Sequence, residues 1–112
     1  MVCTTLTVGA AYVPTPNISI ISLVIADASG YPLPEPYQTT EGDAALLQVT
    51  LSNTGDADGM VKLNALRNGV LCKELNWRVN VGATEKVNVW NAYDSSVGVH
   101  ELCVEIVSVT GV

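Results

Sequence analysis

Ala45-Leu-Leu-Gln-Val-Thr-Leu-Ser-Asn53 is the stretch that decides how this chain folds. Ala45, Leu47, Val49 and Leu51 fall on one side of an extended backbone, and Leu46, Gln48, Thr50 and Ser52 fall on the other. Successive side chains of a strand point to opposite faces, so this two-residue period reads as a strand with one buried side. The run ends in Asn53-Thr-Gly-Asp-Ala-Asp-Gly59, residues that favour turns because they tolerate unusual backbone angles or bond their own main chain.

Toward the C-terminus the alternation resumes. Residues 60–66 place Val61, Leu63 and Ala65 on one face. Arg67-Asn-Gly69 follows, and Asn-Gly between alternating runs is a strong hairpin signal. Residues 70–79 carry Leu71, Leu75, Trp77 and Val79 on one face, with Lys73 as the exception. Val81-Gly-Ala83 turns the chain into residues 84–91, where Val87 and Val89 point inward. Asp94-Ser-Ser-Val-Gly98 turns it again, and the last strand, about 99–109, is expected to bury Leu102, Val104 and Ile106 and expose Glu101, Cys103 and Glu105.

Toward the N-terminus, residues 17–27 read as a strand in which Ile18 and Ile20 share one face and Ile21, Leu23 and Ile25 the other. Such a phase change fits a bulge, or a strand passing between sheets. Tyr31-Pro-Leu-Pro-Glu-Pro-Tyr37 cannot enter a central ladder, because proline lacks the backbone donor, and is expected to be an extended surface connection. Residues 3–13 alternate once more, with Leu6, Val8, Ala10 and Tyr12 on one face, before Pro14 and Pro16 break the ladder. The expectation is an all-β, immunoglobulin-like antiparallel sandwich of about seven strands: an N-terminal strand or arm over 1–16, and a sandwich domain over 17–112.

With 112 residues the chain is long enough for one two-layer core. Eleven acidic residues against five basic ones give a net charge of −6, and no Lys/Arg cluster exists to meet a phosphate backbone, so nucleic acid is not an expected partner. The apolar-rich run Ile18–Ala28 contains Ser19, Ser22 and Asp27 and falls short of the roughly 20 residues a spanning helix needs, so membrane insertion is not expected. Met1-Val-Cys-Thr-Thr-Leu-Thr7 lacks the basic start and apolar run of a secretory leader. The chain then stays where it is made, leaves inside a larger particle, or is a domain excised from a protein whose leader is gone. Asn17-Ile-Ser19 matches the glycosylation sequon, a tripeptide that also arises by chance.

Catalytic chemistry finds little to work with. His100 is the single histidine and falls on the Leu102 face, where a partly buried structural role suits it. Ser95, Ser96 and Asp94 are near it in sequence but do not form a nucleophile turn, so no catalytic residue is assigned. Cys3, Cys72, Cys103 and His100 are too scattered for a zinc site. Asp56-Ala-Asp58-Gly59 resembles the opening of a calcium loop without its later ligands, and Glu41 and Asp43 would help only if the fold brought them to the same end. No metal and no cofactor is therefore expected. Cys72 and Cys103 are expected to point outward on strands separated by strand 60–66, about 10 Å apart, which is too far for a disulfide. Leu46, Leu66, Val70, Trp90 and Tyr93 are expected outside. Were Leu66, Trp90 and Tyr93 to cluster they would form a contact patch, though an adjoining loop packed on Trp90 accounts for that residue equally well.

The order of these signals resembles the cell-adhesion-related domain of bacterial and archaeal surface proteins, CARDB, an immunoglobulin-like fold. The resemblance runs from Ile18-Ser-Ile-Ile-Ser-Leu23 through Ala45–Gly55, with its Asn-Thr-Gly ending, and Arg67-Asn-Gly69 falls at the central hairpin. It continues through Val81-Gly-Ala-Thr-Glu-Lys-Val-Asn-Val-Trp90 and Gly98-Val-His-Glu-Leu-Cys-Val-Glu-Ile106, covering roughly residues 17–108. Members of the family carry a further strand after the segment matched by 98–106. The resemblance therefore implies an open edge beside the last strand here, which residues 3–13 could fill in their own subunit or in a neighbour, unless they form an ordinary first strand. The function expected is a non-enzymatic structural or assembly module of a multicopy particle, such as a virion coat, decoration or turret component or a surface filament, whose partners are its own copies or other subunits. The alternative is a carbohydrate- or protein-binding adhesion module of a cell-surface protein, with Tyr31 and Tyr37 as its contact residues. Either role places the chain on a virion or an extracellular surface.

Overall fold

The computed structural model describes residues 1–6, 13–40, 42–92 and 97–112. Six strands, β1 (Ile18–Ala26), β2 (Leu46–Asn53), β3 (Gly59–Arg67), β4 (Val70–Val79), β5 (Thr84–Asn91) and β6 (Leu102–Gly111), form two antiparallel sheets of order β1-β2-β5 and β4-β3-β6. The chain is thus an all-β sandwich, with six strands among the described residues where about seven were expected. Residues 1–6 carry no strand and are exposed throughout, while Val8, Ala10 and Tyr12 lie outside the described residues. The last strand starts at Leu102 rather than near residue 99, leaving Val99 and His100 to the preceding loop.

The central strands set the core. Val49 and Leu51 of β2 and Val61, Leu63 and Ala65 of β3 are 0% exposed and meet between the sheets. Their alternate neighbours Thr50, Ser52, Lys62 and Asn64 lie on the outer faces and are only partly buried. Burial of each large aliphatic chain contributes about 1.5–3 kcal/mol, so these two strands anchor the fold. Asn68 (φ 51°) and Gly69 (φ 80°) close the β3–β4 hairpin in the left-handed conformation that a two-residue turn of this twist requires.

Each ladder contains an irregularity, and these correct several faces read from simple alternation. On β1 the register shifts between Ile20 and Ser22, so Ile21 is an extra residue, and Ile18, Ile20, Leu23 and Ile25 all stand opposite residues of the inner row or its end. The phase change in 17–27 is therefore a bulge within one sheet. On β5, Asn88 opposes Gln48 and Trp90 opposes Leu47, leaving Val89 extra. Trp90, expected to face outward, instead turns inward and packs on the core, with the Arg67 guanidinium carbon 5.6 Å from its ring centre. On β4 the shift leaves Cys72 extra and sets Leu71 opposite Leu66, so Leu71 leaves the row that contains Leu75 and Trp77.

The sandwich is closed at one end by Asn53, which is 1% exposed. Its amide nitrogen donates to the carbonyls of Ala57 and Val79, both at 2.9 Å. Its amide oxygen accepts from Gly55 N at 3.0 Å and Asn17 N at 3.2 Å. The backbone of Asn53 also bonds Ala83 O and Gly82 N, so every polar group of the residue is satisfied. Thr15–Asn17 crosses directly over this loop: a Cβ on Gly55 would overlap Thr15 O and stand 2.5 Å from Asn17 N, and one on Gly59 would stand 2.5 Å from Pro16 Cβ. Only glycine leaves room for that crossing.

Asp56 and Asp58, weighed above as cation ligands, serve the same closure. Asp56 Oδ1 accepts from Thr15 N, and Asp58 accepts from Val81 N at 2.9 Å and Arg78 Nη2 at 3.2 Å. Asp43 lies just before β2, at the opposite end of the sandwich, and Glu41 is outside the described residues. The Val81 amide, with the Arg78 guanidinium behind it and against some desolvation, holds the Asp58 carboxyl below its usual 3.8.

Two outcomes are expected. Asn53→Ala orphans one buried and one part-buried carbonyl and two part-buried amides and should cost about 3–5 kcal/mol in urea unfolding, read as a lower midpoint at unchanged slope. The depressed carboxyl of Asp58 stabilises the fold fully above its unfolded value and loses that contribution as pH falls through the folded one. The stability gap between wild type and Asp58→Asn should accordingly be constant above about pH 5 and close as the pH is lowered toward 2, in thermal melts across that range.

Candidate functional site

Two three-stranded sheets leave two sides of the sandwich to be closed, one where β4 faces β5 and one where β1 faces β6. The first is spanned by side chains, although Trp77 remains 38% exposed there. Trp77 Nε1 donates to Glu85 Oε2 at 3.1 Å across it, and Trp90 and Leu75 pack onto the core beneath the Arg67 side chain.

The β1–β6 side is lined by aliphatic chains. Leu102, Val104, Ile106 and Val109 of β6 occupy the inward row opposite Arg67, Ala65, Leu63 and Val61. Yet they are only partly buried, whereas their β3 partners Ala65, Leu63 and Val61 are fully buried. Facing them from β1, Ile20 and Ile25 are half-buried and Leu23 is 40% exposed. Val107, the extra residue of the β6 bulge, is 49% exposed. Among the described residues no strand pairs with the outer edge of β6, the position expected for an open rung. The outer edge of β1 is partly covered, because Leu33 N donates to Ile25 O and Pro32 bridges Ala26. What remains is an apolar strip along β6 with unpaired backbone groups beside it. A sheet edge of this kind is a template for another strand.

At its Leu102 end the strip widens into a groove of about 450 Å³ lined by Ile25, Tyr37, Ala45, Ala92, His100 and Leu102. Tyr37 donates its hydroxyl to Glu35 at 3.2 Å, and partial burial together with that carboxylate raises its pKa. His100 Nδ1 lies 3.2 Å from Asn68 Nδ2, and Asn68 in turn exchanges backbone and side-chain bonds with Glu101. The histidine thus ties the last loop to the β3–β4 hairpin.

The residues singled out from the sequence separate. Tyr31 is 72% exposed in a turn built on Asp27, whose carboxylate accepts from Ser29 N and Tyr31 N, and it does not line the groove that holds Tyr37. Leu66 is on the outer face of its sheet opposite Cys103, while Trp90 is between the sheets, so the two do not form one patch. Tyr93 is outside the described residues, as are Asp94, Ser95 and Ser96. Leu6 is 85% exposed. The β1–β6 strip itself was not read from the sequence. Its signal was the phase break at Ile20-Ile21, which, taken as a bulge, puts the apolar side chains on both sides of it into one row.

The cysteines are free, and β3 separates the strands bearing Cys72 and Cys103 as expected. Hydrogen bonding to Glu101, reinforced by desolvation and the nearby carboxylates, pushes the Cys103 thiol up. Among the described residues no group of His, Cys, Asp and Glu is placed to hold a metal ion, and no helix is long and apolar enough to cross a membrane. No family model matches the chain, and no curated protein or solved structure matches it either.

The open edge has a direct dynamic signature. In dilute solution, β6 amides that point away from β3 should exchange with deuterium at least about a hundredfold faster than the amides of Val61 and Leu63, read residue by residue by NMR. Equal protection on both sides of β6 would show that its edge is already covered.

Proposed function

We propose that this chain is a non-enzymatic structural module of a multicopy assembly, a virion coat, decoration or turret component or a surface filament, which associates through its open sheet edge and N-terminal arm. One observation carries the reading: the inward row of β6 is only half covered although the β3 row beside it is fully buried. An apolar row next to unpaired backbone groups gains from a partner on both counts, by removing apolar area from water and by completing a ladder. Among the described residues, Asp56 and Asp58 are engaged in the Asn53 closure and His100 on the β3–β4 hairpin. The CARDB resemblance supports an extracellular surface as the setting.

The alternative, an adhesion module that binds carbohydrate or protein, is supported by the exposed Tyr31 beside a proline-rich loop. Tyr31-dependent retention on a glycan array would favour it.

Light scattering on the full chain over a range of concentrations tests the assembly reading. Mass should rise above that of one chain, and Leu23→Lys, which sets a charge in the strip on an edge strand, should weaken association by at least about tenfold. A chain that stays single at every concentration would overturn it.

A further inference from the structure

We infer that the β1–β6 strip is filled by residues 3–13 of a second copy of this chain, added antiparallel to β6 as the fourth strand of the β4-β3-β6 sheet. This rests on the assembly reading and names the partner of the same surface.

Four features carry it. The first is length: eleven extended residues cover about 37 Å, and the ten residues of β6 about 34 Å. The second is chemistry. Residues 1–13 contain no charged side chain, so the segment can be buried without desolvating an ion, and its one apolar row is Leu6, Val8, Ala10 and Tyr12. Residues 1–6 and Val13 are exposed in the single chain, so the ends of that segment are available to a neighbour.

The third feature is phase. With Tyr12 beside Leu102, Ala10 meets Val104 and Val8 meets Ile106. The extra residue Val107 then carries the register on, so that Leu6 meets Val109. All four fall on the inward row. This direction also brings the one large ring of the arm to the groove at the Leu102 end, beside Tyr37 and His100.

The fourth feature selects a neighbour over the chain's own arm. Thr15 is bonded to Asp56, N to Oδ1 and O to N, at the end of the sandwich where Gly59 pairs with Gly111 and β6 finishes. From that anchor the chain's own residues 3–13 could lie along β6 only parallel to it. Every ladder among the described residues is antiparallel, and parallel pairing is the weaker of the two. A second copy has no such tether.

Paramagnetic labelling in mixed samples tests both partner and direction. A Cys72→Ser/Cys103→Ser chain bearing a nitroxide on Cys3 is mixed with unlabelled-thiol chain enriched in nitrogen-15. The inference expects the amide signals of Val109–Gly111 in the enriched chain to broaden severalfold more than those of Leu102–Val104. Leu6→Asp/Val8→Asp in the nitroxide chain should abolish the effect. Stronger broadening at Leu102–Val104 would overturn the antiparallel placement. No broadening of β6, with a light-scattering mass still above one chain, would overturn the arm as occupant and leave the assembly reading standing. A single-chain mass throughout would overturn both.

Discussion

Asn53 is the constraint on which the rest of this structure depends. It is a buried amide with each donor and acceptor matched, and its partners come from the entry to β1, the 54–58 loop, the end of β4 and the 81–83 turn. A buried polar group left unpaired costs about 1–3 kcal/mol, whereas one fully paired fixes the geometry of everything it touches. At this end the two sheets are locked in angle and spacing by one side chain, and Gly55 and Gly59 allow Thr15–Asn17 to cross close enough to reach it.

That closure has a consequence for the opposite side of the molecule's economy. Because Thr15 is held against Asp56, the N-terminal segment departs from the end of the sandwich where β6 finishes. The β4–β5 side carries Trp77, Trp90 and Arg67, with Trp77 still 38% exposed, while the β1–β6 side carries aliphatic chains on two edge strands. The two sides therefore differ in chemistry, aromatic along one and aliphatic along the other. The same chain carries an uncharged alternating segment at residues 3–13 of its sequence. Supply and vacancy are matched in length, polarity and phase, which is the physical content of the assembly reading.

Much of this was legible in the chain itself. The alternation of β2 and β3, the Asn-Gly hairpin and the separation of Cys72 from Cys103 by β3 all follow from the period of two and the chemistry of turns. Faces near bulges were not. Trp90 looked exposed because alternation was carried through Val89, and Leu71 looked buried because it was carried through Cys72. A one-residue slip reverses every side chain beyond it, and nothing local to the residue announces the slip. The grouping of Trp90 with Leu66 failed for this reason.

What the sequence determined by itself was the class of structure and the location of its turns, since apolar period and turn chemistry are local properties of a few adjacent residues. It also determined that residues 3–13 alternate and carry no charged side chain. Only the tertiary structure decided which rows are fully covered. Coverage depends on the strands lying across the gap, and β6 is left half-open by the absence of a described neighbour beyond it rather than by anything in Leu102–Gly111. The role of Asn53 was likewise invisible in sequence, because its partners are separated along the chain and meet only once both sheets are in place.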